Sequence, residues 1–156
     1  MSYKMPPYSK ICIAVRDINE SVDYYSKAFG WDSWYVTDIL DVSDTIYNGS
    51  RSGCKLKSAL YPNPMDGVNS DFMTIELVQH MEGESPIKDF IEQKGEGIQA
   101  LQIIVNDMEE ALAELEKQNC KKVFYGRWDI GRQQDVAYVD APLLGGVQYL
   151  LKCYDK

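Results

Sequence analysis

The chain has 156 residues and a formal net charge of −8, from 16 Lys and Arg against 24 Asp and Glu. Its 45% hydrophobic and 26% charged residues match ordinary soluble globular proteins and exclude wholesale disorder or collagen-like structure. The acidity argues against nucleic acid as a partner, and no apolar run approaches the ~20 residues of a membrane span.

Residues 1–8 contain no apolar core of a secretory signal. The four cysteines, Cys12, Cys54, Cys120 and Cys153, lie far apart with no CxxC spacing. We expect free thiols and a cytoplasmic protein. His80 is the single histidine, so no multi-histidine metal site is available within one chain.

The first predicted element is the apolar run Ile11-Cys12-Ile13-Ala14-Val15, followed by Arg16 and Asp17. Asp17 with Glu20 forms a capping-box pattern. Ile18, Val22, Tyr25 and Phe29 then recur at helical spacing, and Gly30 is placed to end the helix. Strands are predicted over 33–40, 45–48, 55–61 and 72–78, with a long loop over 61–67. Ser85 and Pro86 open a connector helix over about 85–94, with Ile87, Phe90 and Ile91 on one side.

The pattern then repeats. Leu101-Gln102-Ile103-Ile104-Val105-Asn106-Asp107 copies the first run at an offset of 90 residues, Ile11 corresponding to Leu101. Asp107 and Glu110 repeat the capping box, and Met108, Ala111, Leu112 and Leu115 form the apolar stripe. Further strands are predicted over 122–125, 134–139 and 147–154. The chain reads as one α+β domain over 1–156, made of two βαβββ modules: 8–80, the connector, and 97–155.

This layout resembles the vicinal oxygen chelate superfamily, which includes glyoxalase I, methylmalonyl-CoA epimerase, bleomycin-resistance proteins and extradiol dioxygenases. The first run with Tyr24-Tyr25 and Phe29-Gly30, the segment Ile75-Glu76-Leu77-Val78, and the stretch from Gly83 to Ile98 carry the resemblance. The last stretch looks most like the epimerase branch. The resemblance implies curved mixed sheets around a cavity, a divalent metal held by four inward side chains, and pairing into a homodimer. An open curved sheet also leaves edges that a second copy would cover.

The family's four ligand positions map to Lys10, Glu76, Ala100 and Leu150, so one ligand type survives. Protonated Lys has no lone pair, and Ala and Leu have no donor atom. We therefore expect no metal and no cofactor. The epimerase pattern also implies a carboxylate at Leu150 and another near Gly53, where Ser50, Arg51 and Ser52 stand instead.

Alternation along the strands places Lys10, Cys12 and Ala14 on the inward face. Thr74, Glu76 and Val78 join them, with Ala100, Gln102 and Ile104, and Gln148, Leu150 and Lys152. Lys10 and Glu76 converge, either as a structural ion pair or as an acid–base or anchoring pair. They are the candidate catalytic residues. Cys12, Thr74, Gln102, Gln148, Leu150, Tyr47, Tyr61 and Trp128 are the candidate ligand-binding residues. Arg127 and Arg132 flank Trp128 in a turn-like segment, readable as a lid with an anion contact or as a solvated hairpin tip. His80 fits a loop-capping role or an acid–base one.

The expected function is binding of a small apolar, aromatic or acyl metabolite in the central cavity without metal. The alternatives are a metal-independent isomerase or lyase acting on a carbonyl or acyl-CoA compound, and a metal-dependent epimerase-like or lactoylglutathione-lyase-like enzyme. For a CoA tail, Arg51, Lys55 and Lys57, or Lys121 and Lys122, would supply the cations.

Overall fold

The computed structural model describes residues 4–67, 73–130 and 132–155. It contains β1 (Lys10–Val15), α1 (Ile18–Phe29), β2 (Tyr35–Val36), β3 (Leu40–Tyr47), β4 (Ser50–Tyr61) and β5 (Thr74–Gly83). The second half follows as α2 (Pro86–Lys94), β6 (Gly97–Ile104), α3 (Met108–Glu116), β7 (Lys121–Ile130), β8 (Arg132–Asp140) and β9 (Gln148–Tyr154).

The helices start where their caps are encoded. The Asp17 side chain accepts from the Glu20 N–H, that of Asp107 from Glu110, and that of Ser85 from Lys88. Gly30 ends α1 at φ 70°, a conformation that favours glycine. The two stripes differ. In α3, Met108 and Ala111 are buried with Leu112 and Leu115 packed against them. In α1, Ile18 is buried but Phe29 is 56% exposed and stacks on Tyr25 rather than on the sheet.

The tandem modules pair their strands in the same register. β1 pairs with β5 in parallel, Lys10 opposite Thr74 and Cys12 opposite Glu76. β6 pairs with β9 in parallel, Ala100 opposite Gln148 and Gln102 opposite Leu150. The modules meet antiparallel across β1 and β6, with Lys10 opposite Gln102 and Cys12 opposite Ala100. A second seam joins β3 to β7, and β4 also pairs with β5.

These pairings close a ring in the order β4-β3-β7-β8-β9-β6-β1-β5, with β2 appended to β4. Closure removes the long free edges on which a dimer was expected, leaving that argument without its basis. Strand lengths also differ from expectation. β2 is a two-residue bridge instead of a strand over 33–40, and the next strand starts at Leu40. β7 and β8 extend to Ile130 and from Arg132, so the turn-like segment around Trp128 is a long hairpin. Phe72, expected at the start of β5, lies outside the described residues.

The core has three parts. The ring interior holds Cys12, Ala14, Leu56, Val78, Ala100, Phe124, Val136, Tyr138 and Leu150. α1 covers Val15, Ala59 and Leu77 on the outer face, and α3 covers Ile103, Ala137, Val139 and Leu151. α2 supplies Ile87 to the interior cluster, with Phe90 and Ile91 packed against it, and so plugs one end of the barrel. Lys10, Thr74 and Ile104 sit at strand ends belonging to the other end, the mouth.

At Gly83 (φ +80°) a Cβ atom would stand 2.0 Å from the Gly53 carbonyl oxygen, so β4 and β5 cross too closely for any side chain. Gly83→Ala is expected to cost ~1–3 kcal/mol, from overpacking against backbone. Urea denaturation measures it, and an unchanged midpoint would contradict this close approach.

Candidate functional site

The inward face of β1 and β5 brings Lys10 and Glu76 together at the mouth. Lys10 Nζ donates to Glu76 Oε2 at 2.8 Å, with side chains 14% and 11% exposed. Cys12 Sγ lies 4.0 Å from the same oxygen. Burial opposes the charge on Glu76, but the Lys10 and Lys152 ammoniums outweigh it and hold the carboxyl down at about 2. Burial likewise opposes the charge on Lys10, yet Glu76 holds its pKa above the ordinary value. The Cys12 thiol is pushed up to about 12 by burial and then by Glu76, so it stays protonated.

Other expected residues share this face. Gln102 is buried and donates from Nε2 to Ser9 Oγ at 3.1 Å, while its Oε1 has no partner. Thr74 is half-buried opposite Lys10. Leu150 and Ala100 are buried apolar neighbours. Trp128 is buried with its indole N–H unpartnered.

Three candidates lie elsewhere. Tyr47 and Gln148 line a separate cleft of about 350 Å³ beneath α2, with Pro86, Asp89 and Phe90. There the Tyr47 hydroxyl donates to Asp89, and Gln148 bridges Gln99 and Asp140. Tyr61 is on the outer face, stacked on Trp31 with centroids 5.0 Å apart. It lines a groove with Pro62, Met73 and Ile75. The expectation that these residues share one cavity with Lys10 is corrected. Tyr47 and Gln148 have the right parity but sit toward the plugged end, and the outward-facing Ile75 stands opposite Tyr61.

Arg127 is engaged by Asp135 at 3.0 Å and by Asp155, so it anchors the hairpin to β9 rather than waiting for an anion. His80 Nδ1 lies 2.9 Å from Ser85 Oγ, beside the α2 N-cap. Lys55 pairs with Glu82 at 3.0 Å, which engages one of the cations considered for a CoA tail.

Two site residues carried no assigned role in the sequence reading. Lys152 was placed on the inward face by parity, with no role attached to it. It is 7% exposed, and its Nζ lies 5.4 Å from the Trp128 ring centroid. Gln134 is buried beside Trp128, its Oε1 also without a partner.

Among the described residues, no three or more His, Cys, Asp or Glu side chains gather to hold a metal. No helix among them is long and apolar enough to cross a membrane.

The model of the Glyoxalase/Bleomycin resistance protein/Dioxygenase superfamily matches residues 9–138. Among solved structures, hypothetical protein BH1468 of Bacillus halodurans is 21% identical, with a TM-score of 0.61 over 96% of this chain and 95% of that one. Methylmalonyl-CoA epimerase from Mycobacterium tuberculosis is 18% identical, TM-score 0.59, covering 97% of this chain and 90% of that one. The Streptomyces coelicolor epimerase in complex with 2-nitronate-propionyl-CoA is 15% identical, TM-score 0.60, covering 98% and 100%. These likenesses concern the fold. No curated protein matches the chain.

Lys10→Met leaves Glu76 without its bonded partner and is expected to cost ~3–5 kcal/mol at neutral pH, the range for breaking a buried pair. Adding Glu76→Leu should recover most of that loss. The folded pKa of Glu76, about 2, lies below its ordinary 4.5, so the pairing stabilises fully above pH 4.5 and fades as pH falls toward 2. Denaturation of wild type and Lys10→Met across this window should show the stability gap closing. A constant gap would mean that the pair is not the cause.

Proposed function

The chain belongs to the Glyoxalase/Bleomycin resistance protein/Dioxygenase superfamily, and from that premise we propose that it binds a small apolar, aromatic or acyl metabolite in the barrel mouth without a divalent metal. The observation carrying this reading is the Lys10 ammonium, bonded at 2.8 Å to Glu76, the one acidic side chain at the family's ligand positions. Ala100 and Leu150 at the equivalent positions are buried and offer no donor. The protonated Cys12 thiol beside Glu76 is a poor ligand as well. This donor set does not fit the family metal, and the ammonium provides the fixed positive charge.

Binding is favoured over an acid–base role by the same electrostatics. A carboxyl held at about 2 is a weak base at neutral pH, and a lysine whose pKa is raised is a weak acid. The pair is suited to fixing a carbonyl or carboxylate oxygen in place. Apolar Leu150 and the aromatic Trp128 and Tyr138 then receive the rest of the ligand. An isomerase or lyase acting on a carbonyl or acyl-CoA compound would need another proton-transfer group.

Elemental analysis of the chain purified without chelator, joined to thermal shifts with a metabolite panel, tests the proposal. We expect less than stoichiometric zinc, nickel, cobalt, manganese and iron, and ligand-induced shifts unchanged by EDTA. Stoichiometric metal lost in a Glu76→Gln variant, or chelator-sensitive epimerisation of methylmalonyl-CoA, would overturn it.

A further inference from the structure

Among the described residues, the inward face at the mouth of the barrel sets two lysines, Lys10 and Lys152, against one carboxylate, Glu76. Lys10 and Lys152 both act on Glu76, but only Lys10 reaches it, at 2.8 Å. Lys152 is 93% buried, and among the described residues it has no ion-pair partner; its Nζ lies 5.4 Å from the Trp128 ring centroid. A lone buried ammonium is costly, because it has lost water and gained no counter-charge. Burial lowers the Lys152 pKa and the attraction of Glu76 does not restore it, as expected for such a group.

Unpartnered polar atoms stand on the strands to either side of Lys152. The strand register places Lys152 opposite Val136 and Ile104, with Gln134 and Gln102 one inward position away on the neighbouring strands. Trp128 stands opposite Gln134. The Trp128 indole N–H, Gln134 Oε1 and Gln102 Oε1 are all buried without a partner among the described residues. Folded proteins rarely leave several such groups unsatisfied in one place unless water, an ion or a ligand completes them. A half-turn of the Gln134 amide, whose O and N ends are interchangeable in shape, would present an N–H donor. Around the cluster stand Leu150, Tyr138 and the indole ring.

We propose that Lys152 and the Trp128 indole N–H form a carboxylate-binding subsite in the barrel mouth, specific for a small carboxylate with an apolar body. The ammonium supplies the counter-charge, the indole N–H a directional bond, and the turned Gln134 amide a second one. Leu150 and Tyr138 contact the apolar body, and the Lys10–Glu76 pair remains free for a carbonyl oxygen on that body. This inference rests on the metal-free small-molecule reading and names the chemical class of its ligand.

Titration calorimetry of the full chain with benzoate, and with benzamide as its neutral isostere, tests it. Benzoate should bind the wild type, and benzamide about tenfold or more weaker. Lys152→Met should lose about tenfold or more of the benzoate affinity, as expected when a charged hydrogen-bonding partner is removed. Trp128→Phe keeps an aromatic ring but removes the N–H, and should weaken benzoate severalfold. Without benzoate, Lys152→Met should melt above the wild type, because it removes an unpaired buried charge while keeping a side chain of similar length. The same melt shows that the variant folds.

Benzoate affinity unchanged in Lys152→Met, benzamide binding as tightly as benzoate, or no benzoate binding to wild type at millimolar concentration would each overturn the proposal. A metabolite that binds wild type and Lys152→Met equally would remove the Lys152 assignment and leave the metal-free reading standing. Stoichiometric metal at Glu76 would remove that reading itself.

Discussion

Burying the Glu76 carboxylate inside a ring of strands sets the terms for everything around it. A carboxylate in that position must find a positive charge or give up its own. The Lys10 ammonium provides one at 2.8 Å, from the strand directly alongside. This contact requires β1 and β5 to run parallel in the observed register. Because the side-chain period along a strand is two, a slip of one residue would put Lys10 on the outer face. The ion pair and the strand register therefore depend on each other.

The ring itself comes from joining two similar halves along two seams. β1 meets β6 and β3 meets β7, and the β4–β5 pairing completes the circle. The halves are alike in backbone but unlike in charge. Lys10 and Glu76 occupy positions that are Ala100 and Leu150 in the second half. At these equivalent positions the first half is thus ionic and the second apolar, and the second half's charge at the mouth comes instead from Lys152. That asymmetry suits an elongated ligand with a polar end, whereas a symmetric cage of four donors would suit a metal ion.

α2 decides which end of the barrel is open to chemistry. Its Ile87 enters the interior cluster, while Asp89 receives the Tyr47 hydroxyl at the rim. His80 and Ser85 meet at its start, so the single histidine is tied to capping geometry rather than to the mouth. Near the plugged end Gln99, Gln148 and Asp140 bond in a chain, with the Gln99 Oε1 left without a partner among the described residues. At the mouth, Trp128, Gln134 and Gln102 retain unpartnered atoms.

The tandem modules, the three helix starts and the inward parity of β1, β5, β6 and β9 were legible in the order of residues. These follow from local rules: an Asp or Ser cap bonds within three residues, and alternation sets a side chain's face. The convergence of Lys10 and Glu76 was legible for the same reason, once the two strands were taken as neighbours. Tertiary structure alone decided the closure of the ring, the outward placing of Tyr61, the separation of Tyr47 and Gln148 from the mouth, and the engagement of Arg127 by Asp135 and Asp155. It also left Lys152 without an ion-pair partner among the described residues. Parity gives a face but not a depth along the barrel, and whether a lysine has a counter-charge depends on residues distant in the chain. No local pattern encodes that distance.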